Sequence, residues 1–337
     1  MISLFFITSF AQKKYKYQCV AFYNLENLFD TIADPDTNLI LRYDFTPNGP
    51  HHWNTDKYYK KLDNLAFVIS QIGTDVVPSG PAVMGVAEVE NARVLKDLVS
   101  RPMLMSRHYS FVHYDSPDER GIDVALLYEP TRFKVIKSWI RRENSLPHHD
   151  KTRDMLAVYG LLDGEPFYFI VDHWPSRYGG QKRSEPLRDS VAKHDRMVID
   201  SIIKIHPNAK IIYMGDLNDD PVDESVKKYM HSVGKIKKLK PGDLYNPMEE
   251  KFRNGIGTLA YNDAWDLFDQ FMLTQSLLTS SKYTYNFAKA FIFRKPFLFQ
   301  KEGHFKGYPH RTFAGDEFLD GYSDHLPVYL FLRKQVK

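Results

Sequence analysis

Cysteine is almost absent from this chain of 337 residues; Cys19 is the single one. No disulfide can form within the chain, so its core alone must hold the fold, and cysteine usage gives no clue to the redox compartment. An excess of one charge is missing as well. Lys and Arg number 45 against 42 Asp and Glu, for a formal net charge of +3. That weakly basic balance is compatible with a polyanionic substrate and is no proof of one. Repeats and low-complexity tracts are also lacking. What is present is a hydrophobic fraction of 43%, enough for a full core and too much for a disordered chain. The length suits one large α/β domain or two small ones.

The first eleven residues, Met1 to Ala11, are apolar and end Ser9-Phe10-Ala11. The run is too short to span a membrane. It has the length of a signal-peptide core, with small residues suited to cleavage after Ala11, although no basic residue precedes it. Cys19 follows Lys16-Tyr17-Gln18, which is not a lipoprotein box. A buried first strand is the competing reading. The expectation is a cleaved segment over 1–11, a secreted or periplasmic protein, and a single domain over 12–337.

Periodicity and turn signals predict alternating strands and helices. Strands are expected at Gln18–Asn24, Ala82–Val89, Asp123–Tyr128, Phe133–Trp139, Met155–Leu162, Pro166–Val171, Lys210–Gly215, Gln270–Thr274 and Val328–Leu332. Asp163-Gly164 predicts a hairpin between the sixth-listed strand and the one before it. Helices are expected at Asp56–Ile72, Asn91–Ser100 and Ser190–Ile205. Several strands follow one another directly, which points to mixed sheets covered by helices. Pro35–Asn54 and Ser281–Gly321 read as loops grafted on this frame. The second holds Arg294, Lys295, Lys301, Lys306 and Arg311 among many Phe and Tyr. Aromatics interleaved with cations can stack on bases and neutralise phosphates, though packed loops also look this way.

Five clusters at strand ends carry chemistry. They are Asn24 with Glu26, then Glu88, His173, Asp216 with Asn218, and Asp324 with His325. Strand ends of a layered α/β protein gather at one edge, so these groups can converge. Phosphodiester cleavage asks for this mixture. A hard cation needs carboxylate oxygens, which Glu88 and Glu26 offer. A water needs positioning beside a base, a task for Asp216 with Asn218. Developing phosphoryl charge needs donors, which His173, His325 and Asn218 supply. A carboxylate usually orients such histidines. Asp269 is the candidate for His325, and Asp115 a weaker one for His173.

The ordered motifs Asn-x-Glu, strand-end Glu, His-x-Pro-Ser, Gly-Asp-x-Asn and Ser-Asp-His-x-Pro-Val resemble those of the endonuclease/exonuclease/phosphatase superfamily. The resemblance spans about residues 18–332. It implies an α/β fold, a four-layer sandwich of two packed mixed β-sheets flanked by helices, and metal-dependent phosphoester hydrolysis. Mg²⁺ is the expected ion, with Mn²⁺ or Ca²⁺ as substitutes. By resemblance Glu88 is the principal metal ligand, Glu26 stands where relatives have a metal-facing aspartate, and Asp324 joins the metal set. Asn24 lies beside the metal and substrate. His173, Asp216, Asn218, Asp269 and His325 form the catalytic set. The substrate reading is nucleic acid, cut by an extracytoplasmic endonuclease. The alternative is a lipid or small phosphoester, as in sphingomyelinase-like or inositol-phosphate-type relatives, with Phe291-Ile292-Phe293 and Phe297-Leu298-Phe299 as an apolar membrane-touching loop. No obligate protein partner is implied, and a monomer is expected.

Three arginines are weighed separately. Arg177 is expected to clamp a phosphate bidentately. Arg153 and Arg120 have the same potential, against the plainer reading of arginines paired with Asp or Glu. The pairs His51-His52 and His148-His149 lie in polar loops; such pairs can bind zinc, but a solvated loop is the plainer reading.

Overall fold

The computed structural model describes residues 14–143, 146, 151–279 and 281–336. The Met1–Ala11 run and the His148-His149 pair lie outside these residues. Strands and helices are numbered in chain order. Sheet one contains β1 (Tyr15–Leu28), β2 (Pro81–Val89), β3 (Ser110–His113), β4 (Asp123–Tyr128), β14 (Asn286–Ile292) and β17 (Val328–Gln335), in the order β14-β17-β1-β2-β4-β3. Sheet two contains β5 (Phe133–Arg141), β6 (Met155–Leu162), β7 (Glu165–His173), β8 (Ile211–Asp216), β9 (Ser232–Val233), β10 (Leu244–Tyr245) and β13 (Asp269–Leu273), in the order β5-β6-β7-β8-β13-β10-β9. Both sheets are mixed: β1 runs parallel to β2 and antiparallel to β17, and β7 runs parallel to β8 while β8 and β13 are antiparallel. Two small hairpins stand apart, β11 (Leu259–Tyr261) with β12 (Ala264–Asp266), and β15 (Phe313–Ala314) with β16 (Glu317–Phe318).

Side-chain alternation explains the layers. Val20 and Phe22 of β1 face Phe167, Phe169 and Val171 of β7, with Ile212 and Met214 of β8, in the core between the sheets. Their neighbours Ala21 and Tyr23 point the other way, into a core covered by α1 (Thr55–Gln71) and α2 (Ala92–Val99). On the far side, Tyr168, Ile170, Ile211 and Tyr213 pack beneath α4 (Gln181–Ile205). Short helices α3 (Pro102–Met105), α5 (Glu249–Arg253) and α6 (Ser276–Thr279) finish connections. The result is the four-layer α/β sandwich expected from the sequence. Central strands buried on both faces account for their nearly unbroken apolar runs. Among the described residues no helix is long and apolar enough to cross a membrane.

Three expectations need correction. The helix expected from Ser190 begins at Gln181 and carries Pro186 in its second turn; proline reads as a breaker because it removes one i→i−4 hydrogen bond, and that is why the sequence places the start later. The stretch Ser281–Gly321 is not all loop, because β14 pairs with β17 at the edge of sheet one. Its Phe-rich segments do not form a membrane-touching surface. Phe293 and Leu298 are buried, and Phe291, Ile292, Phe297 and Phe299 pack against the core under α1.

Asp163 and Gly164, both at positive φ, form the two-residue turn between β6 and β7, as the sequence predicts. Gly215 matters for a different reason. A Cβ there would collide with the backbone carbonyl oxygen of Asp172 on the paired strand β7, and no side-chain rotation can relieve a backbone clash. Gly215→Ala is therefore expected to destabilise the fold by about 1–3 kcal/mol, the range for overpacking, read as a lower urea midpoint; an unchanged midpoint would contradict the packing described.

Candidate active site

Strand register assembles the site. The parallel pairing of β7 and β8 sets His173 beside Asp216. The antiparallel pairing of β8 and β13 sets Asp269 opposite Asp216. One row across three strands thus reads His173, Asp216, Asp269, all buried. Two like charges directly opposite each other are destabilising. His325 answers them from the segment leading into β17. Its Nδ1 is 2.7 Å from Asp269 Oδ2, and its Nε2 is 3.6 Å from Asp216 Oδ2. The imidazole is fixed by its own backbone: a bridge to Leu259, and a 3.1 Å bond from His325 N to Ser323 Oγ, which in turn donates to the Asn24 carbonyl at 2.7 Å.

Sheet one contributes from two bulged strand ends. The β1–β2 pairing slips between Asn24 and Leu28, and the β2–β4 pairing slips between Ala87 and Val89. Glu26, Asn27 and Glu88 take left-handed conformations there, with φ of 51°, 47° and 61°, and Asn218 does so beyond β8 at 49°. Non-glycine residues in this region carry backbone strain, which clusters where side chains must be re-aimed. Asn24 spans the two sheets by donating from Nδ2 to Asp216 Oδ2 at 2.9 Å, while its Oδ1 accepts from Glu26 N. Glu88 Oε2 accepts from Asn27 N at 2.9 Å. Its Oε1 lies 3.9 Å from His173 Nε2 and 3.6 Å from Arg120 Nη1. Asn218 donates from Nδ2 to the Trp174 carbonyl and from its backbone N to Asp216 Oδ1.

The electrostatics separate the two imidazoles. Burial opposes a charge on His325, but Asp269 and Asp216 outweigh it and hold its pKa well above the usual histidine value. Burial, with Arg153, Arg120 and His325 adding repulsion, drives His173 well below that value. His325 is therefore an imidazolium and His173 a neutral imidazole. Burial raises the Asp216 carboxyl to about 6 against the pull of His325. Groups whose environments drive their pKa values apart are suited to different proton roles.

The structure thus brings together Asn24, Glu88, His173, Asp216, Asn218, Asp269 and His325. Glu26 and Asp324, expected as metal ligands, each face a cation of the chain, and against burial they act together with Glu88 to favour the charge on Lys61. Glu26 Oε2 accepts from Thr312 N at 2.7 Å and sits 3.9 Å from Lys61 Nζ, and Asp324 faces Arg311 at 3.5 Å. Burial and Asp324 raise Glu26 to about 7. Arg177, expected as a phosphate clamp, is instead engaged by acids of its own chain. Its guanidinium donates to the Asn218 carbonyl, contacts Asp219, Asp220 and Asp223, and lies over the Phe268 ring at 4.5 Å. Arg153 is consumed by Asp118 and the carbonyls of His173 and Trp174. Arg120 alone of the three keeps a buried Nη2 with no partner, beside Glu88. Asp115 does not orient His173; it lies 3.9 Å from His113, which Asp123 holds at 2.9 Å.

Sequence reasoning missed the buried support. Asp172, next to His173, approaches Tyr213 OH, which donates to Asp195 at 2.7 Å; Trp174 Nε1 donates to the same Asp195 oxygen at 3.0 Å. Burial and Asp195 raise Asp172 well above the usual carboxylate range. The only sequence signal was an acid inside the apolar run Phe169–Val171-Asp172.

The donor set fits a hard divalent cation at Glu88. Asn27, whose backbone already holds Glu88, has a buried side-chain oxygen without a hydrogen-bond partner; such orphans ask for an explanation, and an oxygen-seeking ion is one. Asp216, Asp269 and His325 also lie close enough to share an ion, but there the His325 imidazolium already stands between the two acids.

The sequence model described as Endonuclease/Exonuclease/phosphatase family matches residues 19–334. No curated protein matches the chain. Among solved structures, it is similar to an endonuclease/exonuclease/phosphatase family protein from Bacteroides thetaiotaomicron, with TM-score 0.53, 16% identity, and coverage of 96% of this chain and 100% of that one. It is similar to D. rerio TDP2 complexed with single strand DNA product, with TM-score 0.54, 15% identity, and coverage of 94% and 98%. It is likewise similar to the human Nocturnin catalytic domain with bound sulfate, with TM-score 0.53, 15% identity, and coverage of 96% and 98%. At these identities the likeness is one of fold.

Removing Arg177 separates its two readings. Arg177→Ala leaves Asp220 and Asp223 facing each other without their cation, and is expected to cost roughly 3 kcal/mol, measured as a lower urea midpoint at unchanged m. Unaltered stability with a raised KM would restore the clamp.

Proposed function

The chain belongs to the endonuclease/exonuclease/phosphatase family, and from that premise we propose that it is a Mg²⁺-dependent phosphodiester hydrolase acting on nucleic acid. The observation that carries this reading is the buried row of His173, Asp216 and Asp269 with His325 between the two acids. Glu88, with Asn27 beside it, would hold the ion. When bound, that ion would offset charge on a phosphoryl oxygen and on the leaving oxygen. Asp216, raised to about 6, is ionised at neutral pH and basic enough to orient a water and accept its proton. The His325 imidazolium, oriented by Asp269, donates to a phosphoryl oxygen, and Asn218 and the free Arg120 Nη2 add donors. Neutral His173, between Glu88 and Asp216, serves the leaving oxygen.

Nucleic acid is favoured over lipid because the Phe-rich segments are packed into the core, and a fold relative is seen with single strand DNA product. The apolar run Met1–Ala11 supports an extracytoplasmic, nuclease-like role. The alternative of a sphingomyelinase-like or inositol-phosphate-type substrate would need a different apolar surface.

Release of nucleotides from plasmid DNA and RNA, with Mg²⁺ or Mn²⁺ and with chelator, tests the reading. Metal-dependent cleavage is expected, and Glu88→Ala and His325→Ala should each lower kcat by roughly 100-fold or more. Choline-phosphate release from sphingomyelin with intact nucleic acids would overturn the substrate. The rate should also show an acid limb. Asp216 must be ionised, so kcat/KM falls as pH drops through about 6, with a tenfold loss for each further unit; a flat profile between pH 5 and 7 would remove Asp216 from the proton step.

A further inference from the structure

Two large side chains on elements tied to the site are exposed. Tyr178 is 90% exposed and Tyr261 is 66% exposed. Single exposed apolar residues are ordinary on a protein surface, so their placement and support decide whether they mean anything.

Tyr178 lies five residues after His173, in the connection from β7 to α4. The connection turns tightly there: Gly180 N donates to the Arg177 carbonyl at 2.9 Å, and Gly179 and Gly180 have φ of 76° and 105°. The base of this turn is the Arg177 side chain, fixed by Asp219, Asp220 and Asp223 and by the Phe268 ring. An ionic cluster of this size is not needed to hold a surface loop. It makes the turn rigid and so keeps the Tyr178 ring projecting from a fixed point. The next residues, Lys182 and Arg183, are exposed cations.

Tyr261 is at the tip of the β11–β12 hairpin, where Asn262 and Asp263 both have positive φ. The hairpin is rooted in the site: Leu259 bridges to His325, and Leu326 N donates to the Thr258 carbonyl at 2.8 Å. Its tip is tied down by Tyr308 OH, which donates to Asp263 Oδ1 at 2.7 Å. Arg177 joins the two supports, because its Nη1 lies 3.8 Å from Asp266 Oδ1 on β12. The same arginine that anchors Tyr178 therefore also braces the hairpin that carries Tyr261.

We propose that Tyr178 and Tyr261 are paired base-stacking posts that hold single-stranded nucleic acid across the reaction centre. The inference rests on the phosphodiesterase reading above and deepens it by naming the form of the substrate. A tyrosine ring offers a flat apolar face and keeps its hydroxyl in water, and it has few rotamers to lose on binding. Every base has a π-face, so stacking of this kind accepts any sequence. In a duplex those faces are covered by neighbouring bases, so such posts select unpaired strands. Lys182 and Arg183 provide the phosphate contacts that accompany stacking in such grooves. A lipid surface would instead call for a cluster of aliphatic or Phe side chains, and the Phe-rich segments 291–293 and 297–299 are packed against the core.

The test is fluorescence anisotropy with a fluorescein-labelled 12-residue single-stranded DNA in chelator, where no turnover occurs. Tyr178→Ala and Tyr261→Ala are each expected to weaken binding by roughly 5- to 100-fold. Tyr178→Phe and Tyr261→Phe should stay near wild type, and a blunt duplex of the same sequence should bind more weakly than the single strand. Both rings are on the surface, and circular dichroism of each variant checks that the fold is kept. Alanine variants that bind within twofold of wild type, no binding of the oligonucleotide by wild type, or tighter binding of the duplex would each overturn the proposal. So would loss of sphingomyelin-vesicle binding in the alanine variants with oligonucleotide binding intact. Wild-type hydrolysis of bis(p-nitrophenyl) phosphate with Mn²⁺ is measured alongside. Its absence would sink the hydrolase reading itself, whereas hydrolysis together with unaltered oligonucleotide binding would sink the posts alone.

Discussion

Two carboxylates facing each other across a β-ladder are the constraint on which the rest of the site depends. Asp216 and Asp269 are register partners on β8 and β13, and both are buried. Left alone, such a pair would protonate or separate, because a buried charge needs a partner. The chain inserts His325 between them. The three groups then form a neutralising line in which the imidazolium is held by Asp269 and still faces Asp216. Against burial, the two acids are what hold the proton on the imidazole.

That line dictates what surrounds it. His325 must arrive from a different sheet, so the two sheets have to be packed face to face with their strand ends aligned. Asn24 joins them by donating across the gap to Asp216. Bulges in β1 and β2 then turn Glu26, Asn27 and Glu88 out of the pleat, placing Glu88 3.9 Å from His173. Beneath the row, the buried acids Asp172 and Asp195 tie β7 to α4 through Tyr213 and Trp174. Arg177 gathers the acids that follow Asn218 and leaves the loop above it rigid. Strain, buried charge and paired acids are concentrated at one edge of the sandwich, while the core is ordinary close-packed hydrocarbon.

Much of this was legible in the sequence. Apolar runs gave nearly every central strand, and the five polar clusters at strand ends named most of the side chains that converge. Two kinds of information were not legible. One was how a charged side chain is matched. Glu26 and Arg177 carry the right chemistry for metal and phosphate, but Lys61 with Thr312, and Asp219 with Asp220 and Asp223, lie in elements that only folding brings near. The other was protonation. The two histidines look alike in sequence, yet burial and neighbours drive one up and the other down. The edge strand β14 was hidden for a simpler reason: it lacks a clean alternation, because most of its residues are half-buried, with only Lys289 exposed and only Ala290 buried.

The central claim is that the two imidazoles hold opposite charge states because of where the fold puts them. The most direct measurement is a pH titration of the ¹⁵N-labelled histidine rings by NMR in metal-free protein. The account predicts that His325 stays doubly protonated well above the pH at which an ordinary histidine loses its proton, with a strongly hydrogen-bonded Nδ1–H, while His173 stays neutral well below that pH. If both rings titrate together near the ordinary histidine value of about 6.5, the buried line from Asp216 through His325 to Asp269 does not exist in the form described.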